Sequence, residues 1–471
     1  MTTTLVWFRQ DLRLRDNPAL AAAAARGRVV PVFILDESDT AWRPGAASLW
    51  WLHHSLTALR KELGGALSLY RDDPQTILPK LVTEAQADAV CWNRCYEPHA
   101  VARDTALKER LKRDGFDIQS FNAALLNEPW DIKTGGGEPY KVFTPYWRTA
   151  QARNFAAPVA KPKQIDAHRL ASSDKLEDWD LLPAKPNWAK GFAKHWTPGE
   201  QGALDRFDDF IREGLAGYGD LRDRPDKPAT SRLSPHLHFG EISPRQIHAR
   251  LTADRDDKSK SAGIAKFMSE VGWREFAHHL LYHFPTLPDD NWRPAFDAYP
   301  WRDSAPDLKA WQCGLTGYPL VDAGMRELWA TGFMHNRVRM IAASFLIKHL
   351  RLDWRLGQAW FWDTLVDADL ANNAAGWQWV AGSGADASPY FRIFNPMSQG
   401  DKFDPNGDYV RRWCPELAKL PDEFIHAPFK ADDDVLKAAG VVLGKTYPKP
   451  IVDHDEARKA AMQGYQKVRS S

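Results

Sequence analysis

Five short apolar runs, separated by stretches of helical period, govern what the first third of this chain can become. LVWF (Leu5 to Phe8), VVPVFILD (Val29 to Asp36), LSLY, AVCWN and FDIQSF each read as a short buried strand. Between them lie an alanine-rich helix opened by Asn17-Pro18 and closed by Gly27, a helix near Ser48 to Leu63, one from Pro74, and one from Pro98 to Lys112. Apolar strands alternating with helices predict right-handed crossovers, hence an α/β domain on a parallel five-stranded, Rossmann-like sheet over residues 1–124. No GxGxxG follows the first strand, so nothing marks a dinucleotide site in this part.

From residue 125 to about 199 the periodicity fades, and Pro, Gly and Lys accumulate in TGGGEPYKVFTP and APVAKPKQ. The aromatics Tyr140, Phe143, Tyr146 and Trp147 argue against free disorder, so this segment reads as a connector wrapped over both flanking domains. From about Glu200 the period is helical. RFDDFIREGLAGYGDLRDRPD reads as a helix ending in glycines, Ser243-Pro244 as a helix start, and Val338, Ile341, Ala342 and Phe345 as one apolar face. Residues 200–471 are therefore expected to be all-α.

Charge narrows the partners. Lys plus Arg number 62 and Asp plus Glu 61, so no global basic field exists and any nucleic-acid contact has to be local. Four cysteines without CxxC or zinc spacing fit a reducing cytoplasm. The N-terminus lacks the apolar core of a signal peptide, and no run reaches membrane-spanning length. The expectation is a cytoplasmic monomer that does not enter a membrane.

The densest chemistry lies in FWDTLVDADLANNAAGWQWVAGSGADASPYFRIFNP, from Phe361 to Pro396. Asp367 and Asp369 precede Asn372 and Asn373, then Trp377 and Trp379, then small residues, then Tyr390, Phe391 and Arg392. Carboxylates and amides among tryptophans point to an apolar pocket with a few convergent polar groups. A calcium loop is excluded, because Ala371 and Asn372 occupy the fifth and sixth places of its pattern. A glycosidase pair is not specified, since sequence spacing fixes no distance between carboxylates. Either tryptophan alone fits plain core packing.

Three further motifs accompany this stretch in order: TSRLSPHLHFGEISPRQ from Thr230, SEVGWREF from Ser269 and TGFMHNRVRM from Thr331. Together they resemble the photolyase/cryptochrome family, in the form carried by class I cyclobutane pyrimidine dimer photolyases, and the likeness runs from Leu5 to about Ala461. It implies an α/β antenna domain (1–124), an interdomain connector (125–199) and a helical domain (200–471) that binds FAD and DNA. It also implies light-driven repair, in which photoexcited reduced FAD donates an electron to a flipped-out cyclobutane dimer and recovers it after the ring opens. The alternative is a cryptochrome-like photoreceptor that binds FAD without repair. The presence of Glu270, Trp273, Asn336 and Met340, and an end near Ser471 without a long signalling tail, argue against it.

Residue by residue, the likeness assigns Tyr218, Thr230, Ser231, Arg232, Leu233 and Ser234 to the phosphate and ribityl end of FAD. Hydroxyls beside an arginine do suit a pyrophosphate, although Ser234 before Pro235 equally reads as a helix cap. Phe267 and Arg274 are implied beside the flavin, Asp367, Ala368 and Asp369 around its ring and ribityl chain, and Arg339 paired with Asp367. Asn373 is implied to face N5, where an amide accepts from the reduced N5–H and cannot itself ionise. Glu270, Trp273 and Arg274 share one helical face; alone, Glu270 with Arg274 is a surface pair worth little, whereas the family role is hydrogen bonding to the dimer by the glutamate and packing by the tryptophan. The neighbouring EFAHH is not HExxH, so zinc is not read here. Asn336 and Met340 stand where (6-4) photolyases carry histidines, and an amide with a soft thioether suits a cyclobutane dimer. Trp379 is an implied cavity wall, Gln399 an implied DNA contact, and Arg337, Arg392, Lys402, Arg411 and Arg412 are candidate phosphate ligands that also read as plain surface. Trp377, Trp354 and Trp301 match the family's electron path from the flavin to the surface. Glu97 matches an acidic folate ligand, but the histidine expected near Arg43-Pro44 and the Cys-Lys pair expected near Asp289 to Trp292 are absent. A second antenna chromophore thus stays open between folate held another way, flavin, deazaflavin and none.

Overall fold

The computed structural model describes residues 2–38, 41–253, 257–387 and 391–470, so Tyr390 lies outside the described residues. Strands β1 (Thr2–Phe8), β2 (Gly27–Leu35), β3 (Ser68–Arg71), β4 (Ala89–Asn93) and β5 (Asp117–Phe121) form a parallel sheet in the order β3-β2-β1-β4-β5. The intervening helices are α1 (Pro18–Arg26), α2 (Ala46–Glu62), α3 (Pro74–Glu84) and α4 (Pro98–Arg113). Leu5 stands opposite Val30 on one side and Val90 on the other, which brings Leu5, Val30, Val90, Trp7 and Trp92 into one buried cluster. Asn17 caps α1 by accepting from Leu20 N at 3.0 Å, with proline in the first turn where its missing N–H costs nothing.

Two details differ from the reading of the sequence. A sixth strand, β6 (Asp166–Ala167), pairs with β2, so the connector itself enters the sheet. Two residues carry no alternation, which is why no period announced it. The segment expected as one helix ending in glycines is instead a helix, Glu200–Asp209, a π turn, Phe210–Gly214, and a separate short helix, Tyr218–Leu221.

The chain forms two compact units. The first comprises residues 1–216, 231–285 and 366–371. Its sheet and helices are joined by buried polar anchors. Arg13, 1% exposed, donates to the carbonyls of Gly240 (2.7 Å), Asp16 (2.7 Å) and Ala123 (2.8 Å). Glu200 accepts from Leu14 N and Arg15 N at 3.0 and 2.9 Å. A buried guanidinium with its donors met by carbonyls is stable only while all partners stay in place, so these contacts lock the pieces together. The connector aromatics pack as their composition implied: Phe143 stacks on Trp273 at 3.8 Å and 10°, and Tyr146 meets Phe276 at 5.1 Å, both on helix Ser261–His283. Helix Pro244–Ala253 begins with a reciprocal cap, in which Ser243 Oγ accepts from Gln246 N and Gln246 Oε1 accepts from Ser243 N.

The second unit comprises residues 217–230, 286–365 and 372–471 and is helical. Helix Asn336–Ser344 buries Val338, Ile341 and Ala342, and Phe345 follows them into the core. The helix continues as a π turn, Phe345–His349, which aims Lys348 inward; its Nζ donates to the carbonyl of Ala381 at 2.6 Å. Among the described residues no helix is long and apolar enough to cross a membrane.

Candidate functional site

The residues singled out in the sequence fall in both units and are taken unit by unit. In the first, Ser231 Oγ accepts from Leu233 N at 3.4 Å, and Arg232 is held in the left-handed region at φ 51° with its guanidinium 4.6 Å from the Trp196 ring centroid. A non-glycine residue there costs free energy that the surroundings have to offset, and such residues gather at ligand sites. Ser234 does not cap its helix, contrary to the capping alternative. It is the first residue of helix Ser234–His238, and its hydroxyl donates to Asp367 Oδ2 at 2.6 Å. Asp369 lies 3.5 Å from His238 Nδ1 and 3.5 Å from His278 Nε2. Burial alone would raise the Asp369 carboxyl; His278, His238 and Arg274 outweigh it and hold the group well below the usual carboxylate range, so it is ionised. Leu233, Asp367 and Ala368 are buried as well.

Helix Ser261–His283 carries the rest of this group. Phe267 is buried against Phe210 at 4.8 Å. Glu270 is paired with Lys266 at 3.2 Å, one turn earlier on the same face, and Arg274 donates to the carbonyl of Ala124 at 2.7 Å. Trp273 is half-buried, with one ring face covered by Phe143. Phe143, His238 and His278 are additions that sequence reasoning missed. The connector aromatics and the HLHF and AHH histidines were visible there, but nothing in sequence spacing tied them to Trp273 or Asp369.

In the second unit, Tyr218 is buried and Thr230 half-buried. His335 caps helix Asn336–Ser344 through Nδ1, which accepts from Arg337 N at 3.2 Å; burial pushes its pKa down to about 4 and keeps the ring neutral for that role. Asn336 is exposed, and its Nδ2 lies 4.0 Å from the sulfur of half-buried Met340, so the two do share one face. Arg339 donates through Nε to the carbonyl of Met334 at 2.7 Å. Asn373 Nδ2 donates to the Gln358 carbonyl at 3.1 Å, which turns its oxygen into the outward acceptor. Trp377 is buried edge-on against Phe361 (5.0 Å) and Trp311 (6.2 Å), while half-buried Trp379 has Arg392 at 5.5 Å from its ring. Buried Trp354 donates from Nε1 to Asn291 Oδ1 at 3.0 Å. Trp301, expected at the surface, is half-buried, because its ring packs 4.5 Å from that of Tyr299. Gln378, also missed, ties the tryptophan-bearing helix to the 287–292 loop: Nε2 donates to the carbonyls of Leu287 and Asp290, and Oε1 accepts from Trp292 N.

The candidate phosphate ligands separate. Arg337 is paired with Asp223 at 2.8 Å, Arg392, Lys402 and Arg412 are exposed, and Gln399 is half-buried on helix Pro396–Phe403. Arg411 is corrected: its guanidinium is spent on the carbonyls of Asn406, Ala418 and Leu420 and on Asp422 at 2.7 Å, so it fastens a loop.

The donor sets fit FAD. Hydroxyls beside Arg232, the buried ionised Asp369 beside buried Asp367, and an amide whose oxygen is left as acceptor match a phosphate, a hydroxylated chain and a ring N–H respectively.

Comparison with known proteins places the chain. Residues 4–163 match the DNA photolyase family model, and residues 267–467 match the model for the FAD binding domain of DNA photolyase. The deoxyribodipyrimidine photo-lyase of Agrobacterium fabrum is 56% identical over 99% of this chain and 98% of its own length. Cryptochrome-2 of Arabidopsis thaliana is 40% identical over 99% of this chain and 79% of its own. A crystal structure described as a bacterial class III photolyase from Agrobacterium tumefaciens superposes with a TM-score of 0.96 at 55% identity, covering 100% of this chain and 98% of that one. The chain belongs to the DNA photolyase family, and its helical part contains that family's FAD-binding domain. The Agrobacterium structure is described as class III, whereas the motifs resemble the class I form.

Proposed function

We propose that this protein repairs cyclobutane pyrimidine dimers in DNA, driven by blue light through bound FAD. The observation that carries the reading is the pair of exposed Asn336 and half-buried Met340 on one helix face in a member of the photolyase family. An amide and a thioether there favour a cyclobutane ring over the lesion for which (6-4) enzymes use histidines. The subclass follows the 55% identical Agrobacterium structure, which is described as class III. Residues 1–124 serve as the antenna domain, 125–199 as the connector and 200–471 as the catalytic domain. A second antenna chromophore, where the protein carries one, is a folate, a flavin or a deazaflavin.

The chain's residues divide the work. Ser231, Arg232, Ser234, Tyr218 and Thr230 hold the phosphate and ribityl end. Asp367, Asp369, Arg274 and Arg339 would set the charge around the ring, and the Asn373 oxygen would accept the ring N–H. When bound and fully reduced, FAD would supply the light-driven one-electron chemistry that opens a cyclobutane ring. Chemistry on a stacked base requires lifting it out of the duplex, a rule for which photolyases are themselves a standard example. Glu270 releases Lys266 and hydrogen-bonds the lesion, while Trp273, Met340 and Trp379 pack on it and exclude water. Arg337, Arg392, Lys402, Arg412 and Gln399 hold the strand, and their contribution weakens with salt. Trp301, Trp354 and Trp377 pass electrons inward from an external thiol donor.

The test takes the purified protein, identifies its released chromophore by chromatography, and assays dimer reversal with the reduced holoprotein in the dark and under blue light. FAD release and light-dependent reversal are expected. FAD with no reversal favours the cryptochrome-like alternative, and no FAD after reconstitution refutes both.

A further inference from the structure

The second compact unit carries a cavity of about 610 Å³ that no residue assigned above lines. Its size falls within the range of small-molecule sites. Tyr318, Met397 and Phe429 form an apolar wall, where the two rings meet edge to face at 5.8 Å. Tyr318 commits its hydroxyl to the carbonyl of Val452 at 2.9 Å, so it presents only ring to the cavity. The polar side is different in kind. Lys430 and Arg458 are exposed on the lining, and among the described residues neither side chain makes a hydrogen bond or ion pair. Asn395 spends its Oδ1 on Met397 N and Ser398 N, at 3.0 and 3.4 Å, which leaves its amide nitrogen to donate.

A buried histidine sets the remaining donor. His349, 2% exposed, has Nε2 at 2.9 Å from Nδ1 of His454, and its own Nδ1 is buried without a hydrogen-bond partner. Burial pushes the His349 pKa down to about 3, so the ring is neutral and carries one N–H. Orphaned buried N–H groups are rarer than orphaned acceptors, which puts that proton on Nε2, where it donates to His454. His454 is also pushed down by burial, so it is neutral with its proton on Nε2, a fixed donor on a residue of the lining. The acids are unequal. Asp453 Oδ1 caps helix His454–Ser470, accepting from Asp455 N and Glu456 N at 2.9 Å each, whereas Asp455 makes no side-chain bond among the described residues.

We propose that this cavity binds a nucleotide monophosphate unit, a planar heteroaromatic ring bearing one phosphate. The ring packs on Tyr318 and Phe429. The phosphate meets Lys430, Arg458 and the donors of Asn395 and His454. Asp455 accepts from a ring amine or sugar hydroxyl. Two unpaired cations disfavour a purely apolar occupant, and two acids on the same lining disfavour a triphosphate. The unit arrives either as a free mononucleotide or as one residue of a DNA strand. The proposal uses none of the residues assigned to repair and stands if that function fails.

Calorimetric titration of the full chain with its bound FAD, at low salt, tests it with AMP, adenosine, inorganic phosphate and a deoxyadenosine trinucleotide. AMP is expected to bind saturably, one per chain, at least tenfold more tightly than adenosine or phosphate. The Lys430→Ala, Arg458→Ala double variant is expected to lose at least tenfold while Tm and FAD content hold, as both side chains are exposed; Phe429→Ala is expected to weaken AMP and leave phosphate unchanged. A trinucleotide that binds more tightly than AMP and is weakened by the same variant supports the site and names a strand as the source. Absence of saturable AMP and trinucleotide binding, or binding undiminished in the double variant, overturns the proposal.

Discussion

A tryptophan is the residue on which two functions separate. Trp301 matches the outer end of an electron path, yet its ring rests on Tyr299 and is half-buried. Trp301→Phe is expected to lose light-driven reduction of oxidised FAD by an external thiol, while chemically pre-reduced protein repairs at the wild-type rate. Its packing predicts a stability loss of less than about 1.5 kcal/mol, since an aromatic replaces an aromatic; spectroscopic photoreduction and a thermal melt check the two parts, and loss of repair in the pre-reduced variant would place Trp301 in catalysis. Glu275 is a second case. It is 1% exposed, with Oε2 accepting from Leu126 N and Asn127 N at 2.9 and 3.2 Å. Burial raises its carboxyl from 4.5 to about 7, against the opposing pull of Arg274. The folded state therefore keeps a proton between those values that the unfolded chain has released. Stability falls as pH rises through that window and is flat from this group on either side, by up to roughly 3 kcal/mol in all. Melts of wild type and Glu275→Gln from pH 4 to 8 check this, and the variant is expected to lack that part of the slope. At this scale the sequence was informative about a group's type, such as the amide of Asn373, and not about its partner, the Gln358 carbonyl. It was silent where a neighbour decides: nothing near Ser234 announces Asp367, and nothing near Arg411 announces three carbonyls.

At the scale of elements, the two tryptophan-bearing helices depend on one close approach. Gly357 on helix Trp354–Thr364 faces Trp377, and a Cβ there would lie 2.1 Å from the indole Cη2 and 2.6 Å from Leu346 Cδ2. Gly357→Ala therefore forces Trp377 to move within a filled core. We expect a loss of about 1–3 kcal/mol and slower photoreduction, measured by thermal melts and transient absorption; an unchanged melt would mean that the indole has room to retreat. The helices and strands themselves were largely legible, since strong periods and prolines at first turns are local properties. β6 and the π turn that begins at Phe210 were not, because a two-residue strand is defined by its partner and a π turn by packing. The connector is the intermediate case. Its aromatics announced burial, and only the fold shows that they cover Trp273 and Phe276.

For the whole molecule, near-zero net charge means that the proposed DNA recognition cannot rest on a general field and has to come from local groups, for which Arg337, Arg392, Lys402 and Arg412 are the candidates. The family and its flavin domain were readable because four motifs recur in order, a long-range pattern that local composition cannot imitate. Which segments pack together was not readable: residues 231–285 and 366–371 join the sheet in one compact unit through Arg13 and other buried polar anchors scattered along the chain. The central claim is that this assembly recognises a cyclobutane dimer. It is tested most directly by giving the fully reduced holoprotein two oligonucleotides, one with a cyclobutane thymine dimer and one with a (6-4) photoproduct, and counting restored bases under blue light. The account predicts light-dependent restoration of the first and none of the second; restoration of the (6-4) lesion at a comparable rate, or of neither by protein shown to hold reduced FAD, would contradict it.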